Sequence, residues 1–199
     1  MSAPLPFSSV AFALPFWTVY VLAFGTEFLR QVREDSPDEG TVRDAGSKHV
    51  IYAFVGGGTA IAFFVALAVP AAAITTVPVA VFAVGLGVTL GGTALRLYAV
   101  RTLGDSFNST VNVRADQAVV EAGPYRWVRH PSYTGAVLMF LGVGLALTNW
   151  ASVACALLGA LGGYGYRVRV EERALRAELG SAYEAYAERT PYRIVPFVY

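Results

Sequence analysis

The residues best suited to chemistry lie in one short segment, 123–133, which reads GPYRWVRHPSY. It contains two arginines, one of the chain's two histidines, two prolines and three aromatic residues. Directly after this histidine, residues 131–166 carry no charged side chain. Dense polar and aromatic groups at the mouth of an apolar hairpin predict a site at a membrane surface. Such a site can hold a charged cofactor while it takes an apolar substrate from the bilayer.

A second group of chemically useful residues follows in 168–190, where Glu171 and Glu172 are adjacent. Four apolar side chains recur near one face of a helix in this segment: Leu175, Leu179, Ala182 and Tyr186. The two glutamates fall on the edges of that stripe, and Pro191 ends the pattern. Two interpretations stay open: the acids offset the dipole of an amphipathic helix, or one of them faces a ligand at the bundle mouth. Spacing alone favours the first interpretation.

Composition indicates which elements must position these residues. The chain has 199 residues, of which 55% are hydrophobic and 15% charged, against about 25% charged in soluble domains. Residues 1–26, 50–95 and 131–166 contain no Asp, Glu, Lys or Arg. Apolar runs of about 18 or more residues predict transmembrane helices, because hydrocarbon tolerates only internally bonded backbone. We therefore predict an all-α integral membrane protein with one compact bundle.

The apolar runs predict five membrane spans, at residues 7–28, 49–69, 77–100, 133–148 and 150–166. The last two are short, since at 1.5 Å per residue a helix of about 16 residues reaches only about 24 Å. We expect them to form a tight hairpin that turns at Asn149. The chain then divides into an N-terminal three-span bundle, 1–94, and a core, 95–199. The core comprises the motif loop, the hairpin 133–166 and a tail helix, 168–190.

Charge distribution predicts the orientation of the chain. All 15 Lys and Arg residues fall in three regions, 30–48, 96–129 and 167–193, which five spans place on one side of the membrane. The positive-inside rule puts that side in the cytoplasm and the N-terminus outside. An ion pair between Glu27 and Arg96, near the cytoplasmic ends of their spans, stays open, since snorkelling explains both residues as well. The net charge of +1 gives no case for nucleic-acid binding.

Glycines at a spacing of four residues predict close helix contacts, through Gly87 with Gly91 and Gly159 with Gly163. Small residues at this spacing let two helix backbones approach each other in a membrane. The lone Cys155 lies within the fifth predicted span, where we interpret it as a small apolar packing residue.

These residues together resemble a known family. The segment 123–135 (GPYRWVRHPSYTG), the short hairpin and the tail with its double glutamate and Arg-Thr-Pro are similar to the isoprenylcysteine carboxyl methyltransferases. The phospholipid methyltransferases are relatives with similar motifs. The resemblance covers residues 95–197, about half of the chain. The Arg-His-Pro-x-Tyr element is moderately specific by itself and becomes much more so when a double glutamate follows the hairpin.

The resemblance implies S-adenosylmethionine as the cofactor, in a pocket between the Arg-His-Pro segment, the last two spans and the tail. The residues implied in cofactor binding are Tyr125, His130, Pro131, Tyr133, Gly142, Gly144, Glu171 and Glu172. Among them, the two glutamates would hold ribose hydroxyls or the amino group, and the glycines match a motif of the phospholipid methyltransferase branch. Arg129 and Arg189 match arginines that stand near the methyl acceptor and are the implied catalytic residues. No metal ligand is implied.

Methyl transfer from a sulfonium is an in-line displacement, so that alignment supplies much of the catalysis. A carboxylate acceptor is already nucleophilic at neutral pH and needs cations that orient it, which suits arginine. An amine or phenol would instead need a base, for which His130, Glu171 and Glu172 are candidates. We expect a lipophilic acceptor from the bilayer, such as a prenylated cysteine or prenyl acid. A phospholipid amine or phenol acceptor, a membrane NADPH-dependent reductase and a non-catalytic membrane protein are the alternatives.

Overall fold

The computed structural model describes residues 4–34, 46–104 and 119–196. Within these ranges the secondary structure is helical, and the only β-type pairing is an isolated bridge between Ala73 and Asn149. Eight α-helices occur there: α1 (Leu5–Ser8), α2 (Val10–Glu34), α3 (Ser47–Ile51), α4 (Gly57–Ala68), α5 (Pro78–Leu103), α6 (Pro131–Ala146), α7 (Trp150–Leu179) and α8 (Ser181–Arg189). A π-helical turn, Tyr52–Gly56, joins α3 to α4. Most of the predicted loop 30–48 lies outside the described residues.

Three of the described helical segments are long and apolar enough to cross a membrane: Val10–Leu29, His49–Ala68 and Pro78–Leu103. They coincide with the first three predicted spans. Helix α6 is apolar but has only 16 residues, in keeping with the short hairpin that was predicted. That α6 and α7 also cross the membrane stays a prediction. Helix α5 runs without interruption through the predicted domain boundary at 94/95.

The last predicted span and the tail helix are one continuous helix. The sequence predicts a span 150–166 and a separate tail helix 168–190, whereas α7 extends from Trp150 to Leu179 because neither glycine nor proline interrupts 166–179. Gly180 ends it with a φ of 50°, a backbone conformation that glycine adopts without strain. Helix α8 follows at once and ends before Pro191. The double glutamate is therefore fixed rigidly to the hairpin.

Glycine contacts hold α5, α6 and α7 together as antiparallel neighbours. A Cβ added at Gly92 would lie 2.6 Å from the Gly135 carbonyl oxygen, and one at Gly144 would lie 2.7 Å from the Val153 Cα. These approaches leave no room for a side chain. They fix the start of α6 beside the end of α5.

One of the two predicted glycine pairs is wrong. A Cβ added at Gly87 or at Gly91 would meet no atom of the described residues within 4 Å, because α5 presents a different face to α6. The pair Gly159 and Gly163 is confirmed, since the Phe54 carbonyl oxygen lies 2.5 Å from the Cβ position of Gly159. Here α7 packs against α3, the π-helical turn and α4.

The end of the bundle opposite the motif segment is tied together by residues around the hairpin turn. The backbone N–H of Ile74 donates to the Thr148 carbonyl at 2.8 Å. The Asn149 side chain donates to the Val69 carbonyl at 3.0 Å and accepts from the Ser152 N–H at 3.1 Å. The Leu5 N–H donates to the Thr148 hydroxyl at 3.3 Å. The predicted turn at Asn149 is thus confirmed, and it shares this end with the start of the chain.

Candidate functional site

The motif segment begins with a short 3-10 turn, Gly123–Arg126, held between two helices. Gly123 starts the turn with a φ of 57°. The Tyr125 hydroxyl donates to the Ala99 carbonyl of α5 at 3.3 Å, and the Tyr186 hydroxyl of α8 donates to the Tyr125 carbonyl at 2.7 Å. Tyr125 is buried. Tyr125 therefore joins the motif segment to α5 and α8, and it also lies close to the site.

The residues after α8 run alongside the Arg-His-Pro element. The Arg129 N–H donates to the Tyr192 carbonyl and the His130 N–H donates to the Arg193 carbonyl, both at 2.9 Å. Pro131 follows as the first residue of α6, where its missing N–H costs nothing. These contacts bring the C-terminal segment, the motif segment and α7 to one place.

Glu172 is the centre of a buried charge cluster. Arg129 donates to its Oε1 through Nε at 2.9 Å and approaches the same oxygen through Nη2 at 2.8 Å. Arg176 Nη2 and Arg193 Nε each lie 3.3 Å from Oε2. His130 Nε2 lies 3.5 Å from Oε1, is buried and makes no hydrogen bond to the described residues. With only 3% of its side chain exposed, Glu172 is a buried counter-ion for several cations.

Arg129 is committed to this cluster. Besides the two nitrogens on Glu172, its Nη1 donates to the Thr190 carbonyl at 2.7 Å and lies 3.4 Å from the Ala187 carbonyl. All three guanidinium nitrogens thus contact either Glu172 or backbone oxygens. Arg129 joins the motif segment to α7 and to the end of α8.

Glu171 stands beside a stack of aromatic rings. The Tyr133 hydroxyl donates to Glu171 Oε2 at 2.7 Å. The Tyr133 ring stacks on His130 at a centroid distance of 5.7 Å and on Tyr164 at 5.3 Å. Arg167 Nε lies 3.4 Å from the same hydroxyl. Because 30% of the Glu171 side chain is exposed, this carboxylate is open to a ligand in a way that Glu172 is not.

Electrostatics keep Glu172 ionised. Burial by itself raises the pKa of this carboxyl, but the neighbouring His130 ring and Arg129 guanidinium outweigh burial and hold its pKa far below the usual range. Burial raises the pKa of the Tyr125, Tyr183 and Tyr186 hydroxyls. These three phenols therefore stay neutral at physiological pH and are unsuited to act as bases.

Three of the predicted site residues lie away from this cluster. The Gly142 and Gly144 backbones are occupied by helix packing, because a Cβ at Gly142 would meet Thr89 of α5 and one at Gly144 would meet Val153 of α7. Arg189 is 57% exposed and pairs with Glu121 on the surface. The structure brings together the other predicted residues: Tyr125, Arg129, His130, Pro131, Tyr133, Glu171 and Glu172.

Sequence reasoning missed three arginines of the site. Arg176 lies one helical turn after Glu172, a spacing that predicts an ion pair on a continuous helix. Arg167 is buried beside Tyr133. The sequence has no glycine or proline in 166–179 that would end a helix, and this predicts that Arg167 lies on the same helix as the second half of the hairpin. Arg193 follows Pro191 in a segment without regular structure, and no local pattern signals its place.

The site is chemically suited to a charged organic ligand. Arg176 and Arg193 are 41% and 47% exposed, so that each can also face an anion. Glu171 offers an accessible carboxylate, and the stacked rings offer flat surfaces. Among the described residues, no group of three or more His, Cys, Asp or Glu side chains is arranged to hold a metal ion.

Comparison with known proteins adds independent evidence. Residues 81–177 match the model of the isoprenylcysteine carboxyl methyltransferase (ICMT) family. The chain is 33% identical over 116 residues to protein-S-isoprenylcysteine O-methyltransferase B of Arabidopsis thaliana. This alignment covers 57% of this chain and 58% of the Arabidopsis protein. It is 32% identical over 109 residues to the Saccharomyces cerevisiae protein-S-isoprenylcysteine O-methyltransferase, over 54% of this chain and 45% of the yeast protein. The chain spans about half the length of the curated relatives it matches.

The fold is similar to that of a solved structure of the eukaryotic intramembrane Ras methyltransferase ICMT. The TM-score is 0.61 at 27% sequence identity, and the match covers 74% of this chain and 52% of the solved chain. The family match spans α5, α6 and most of α7, and thus includes the motif segment and the double glutamate. Through residues 81–177, this chain is therefore similar to the isoprenylcysteine carboxyl methyltransferase family.

Proposed function

We propose that this chain is an integral membrane methyltransferase that transfers a methyl group from S-adenosylmethionine to the carboxylate of a lipophilic acceptor. A prenylated cysteine or a prenyl acid is the acceptor class. One observation carries the proposal: the two elements that define the family resemblance meet in space, as Tyr133 bonds to Glu171 and Arg129 bonds to Glu172. The family match and the names of the relatives support the same reaction.

The described residues fit the proposed methyl donor. When bound, S-adenosylmethionine supplies a methyl group on a positively charged sulfonium. Glu171 would accept hydrogen bonds from its ribose hydroxyls or amino group, since this carboxylate is partly exposed. Arg176 and Arg193 would face its carboxylate, because both guanidiniums reach solvent from the Glu172 cluster. The His130–Tyr133–Tyr164 stack would supply aromatic faces to its cationic and apolar parts.

The protein's contribution is positioning rather than proton transfer. An ionised carboxylate attacks without a general base, so that the neutral tyrosines around the site are compatible with the reaction. Glu172 and Arg129 hold the motif segment, α7 and the C-terminal residues in one arrangement. Glu171 and Tyr133 lie on the exposed side of that arrangement and are the residues that would contact the donor.

The roles predicted for Arg129 and Arg189 at the acceptor carboxylate stay predictions. We propose that Arg129 acts chiefly by holding Glu172, since its donors are committed there and to backbone carbonyls. Arg189 would have to leave Glu121 to reach an acceptor. We further propose that the site faces the cytoplasm and that the N-terminus lies outside, on the strength of the positive-inside rule.

The decisive experiment measures donor binding and product together. Calorimetry with detergent-purified protein should show saturable S-adenosylmethionine binding, weakened about 10-fold or more in Glu171→Gln by loss of a charged acceptor. Glu188→Gln, an exposed acid on α8, is the matched control. A farnesylated cysteine with a free carboxylate should yield a base-labile methyl ester, whereas its carboxamide should yield none.

Each negative result has a defined meaning. Absence of donor binding by well-folded wild-type protein would overturn the methyltransferase proposal and favour a nicotinamide-dependent or non-catalytic protein. Binding with a base-stable methylated product would place the acceptor among amines or phenols instead.

A further inference from the structure

A buried ion pair between α2 and α5 has no role in the site described so far. Arg96 Nη2 lies 2.7 Å from Glu27 Oε2, and the two side chains are largely enclosed. The pair that the sequence left open is therefore present. Snorkelling does not account for Arg96, because its guanidinium is buried and bonds to Glu27 and to the Ser132 carbonyl.

The other end of this guanidinium is bonded to the motif segment. Arg96 Nη1 donates to the Ser132 carbonyl at 3.0 Å. A carbonyl oxygen has two lone pairs, so that it accepts this bond in addition to its helical one. Arg96 Nε is buried without a hydrogen-bond partner in the described part of the chain. Its two terminal nitrogens, of which one bonds to Glu27 and the other to the Ser132 carbonyl, thus orient the Arg96 guanidinium.

The surrounding backbone fixes this geometry. Gly135 lets α6 approach so closely that a Cβ there would lie 2.7 Å from the Arg96 N and 2.8 Å from its Cβ. Ser132 directly precedes Tyr133, whose hydroxyl bonds to Glu171. A shift of the first turn of α6 would therefore move the Tyr133 hydroxyl relative to the double glutamate.

We infer that Arg96 is a positioning residue for methyl transfer, which acts through the Ser132 carbonyl on Tyr133 and is itself held by Glu27. The inference rests on the proposed function. Glu27 lies on α2, outside the region 81–177 that matches the family model. Helix α2 would thus help to position the catalytic residues in addition to crossing the membrane.

The first test replaces the planar guanidinium of Arg96 by the ammonium group of lysine, which keeps the positive charge. Arg96→Lys can pair with Glu27 but cannot reach Ser132 in the same geometry. We expect turnover to fall about 10-fold or more through misalignment, while the dissociation constant for S-adenosylmethionine by calorimetry changes less than about twofold. Arg101→Lys, an exposed arginine near the end of the same helix, is the matched control and should behave as wild type.

A double-mutant cycle separates positioning from a general loss of structure. If Arg96 acts through Tyr133, the variant that combines Arg96→Lys with Tyr133→Phe should lose less turnover than the product of the two single losses. Losses that multiply would contradict the inference. Melting temperatures in detergent verify folding, and Glu27→Gln, which removes only the charge of the partner, replaces Arg96→Lys if that variant does not fold.

The outcomes distinguish this inference from the proposed function. A wild-type protein that binds no donor defeats the proposed function. A wild-type protein that binds donor and forms ester, beside an Arg96→Lys variant of equal turnover, defeats the positioning role alone.

Discussion

At the scale of single residues, the two adjacent glutamates have opposite environments. Glu172 is enclosed by cations, whereas Glu171 is partly exposed and contacts the Tyr133 hydroxyl. Adjacent positions on a helix point about 100° apart, so that one side chain enters the bundle and the other faces the site. The family resemblance implies both as cofactor ligands, and only the packing around α7 distinguishes them.

Replacement of Glu172 should therefore affect stability first. Glu172→Gln leaves Arg129 and its neighbouring cations without a buried counter-ion, a type of loss that costs about 3–5 kcal/mol. We expect a clearly lower melting temperature in detergent for this variant. Glu171→Gln should melt close to wild type, and equal melting temperatures for both variants would contradict the assignment of Glu172 as a structural counter-ion.

The lowered pKa of Glu172 also predicts a pH dependence. Because its folded pKa lies below the unfolded value of about 4.3, its contribution is fully present at neutral pH and is lost as pH falls below that value. The melting-temperature gap between wild type and Glu172→Gln should narrow from about pH 7 to about pH 3. A gap that stays constant over this range would show that Glu172 is not ionised in the folded protein.

At the scale of elements, close contact between α5 and α6 fixes the position of the start of α6, where the motif segment ends. Gly85, Gly92, Gly135 and Gly142 each let one backbone approach the other. In a membrane such packing replaces the hydrophobic effect as the cause of association. The same glycine that the family resemblance links to a cofactor, Gly142, is thus required for packing.

Gly142→Ala should separate the two helices and destabilise the protein by about 1–3 kcal/mol, as overpacking does. Gly87→Ala is the control, since that position is open. Melting temperatures in detergent should fall for the first variant and stay level or rise slightly for the second. A Gly142→Ala variant with normal stability and weakened donor binding would restore the cofactor role of this glycine.

At the scale of the whole molecule, the charged contacts and the uncharged turns lie at opposite ends of the helix bundle. Glu27, Arg96 and the double glutamate lie toward one end. The Leu5–Thr148 and Val69–Asn149 contacts lie at the other. This arrangement matches the predicted separation of the charged regions from the uncharged turns. Under the proposed function, the donor and the acceptor would meet at a single membrane face.

Cysteine labelling tests which face that is. In a Cys155→Ala background, Ser8→Cys should react with a membrane-impermeant maleimide on intact cells, because both the position and the predicted topology expose it. Ser181→Cys, next to the site, should react only after permeabilisation. The reverse pattern would invert the proposed orientation, and labelling of both on intact cells would indicate mixed topology.

The sequence by itself determined the membrane class, the first three spans, the turn at Asn149 and the elements of the family resemblance. These follow from local composition, because a bilayer accepts only long apolar helices and concentrates charge at their ends. Only the tertiary structure decided that Gly85 and Gly92 rather than Gly87 and Gly91 contact α6. A helix that is apolar on every side carries no periodic pattern that states which face meets its neighbour.

The same limit applies to the site. Glu171, His130 and Tyr133 could be predicted because they lie within recognisable motifs. The partners of Arg129 and Arg193 could not, since they are 43 and 21 residues away in sequence, and the sequence left the Glu27–Arg96 pair open. Charge pairing over such distances depends on how the helices rotate and dock, which the tertiary structure alone decides.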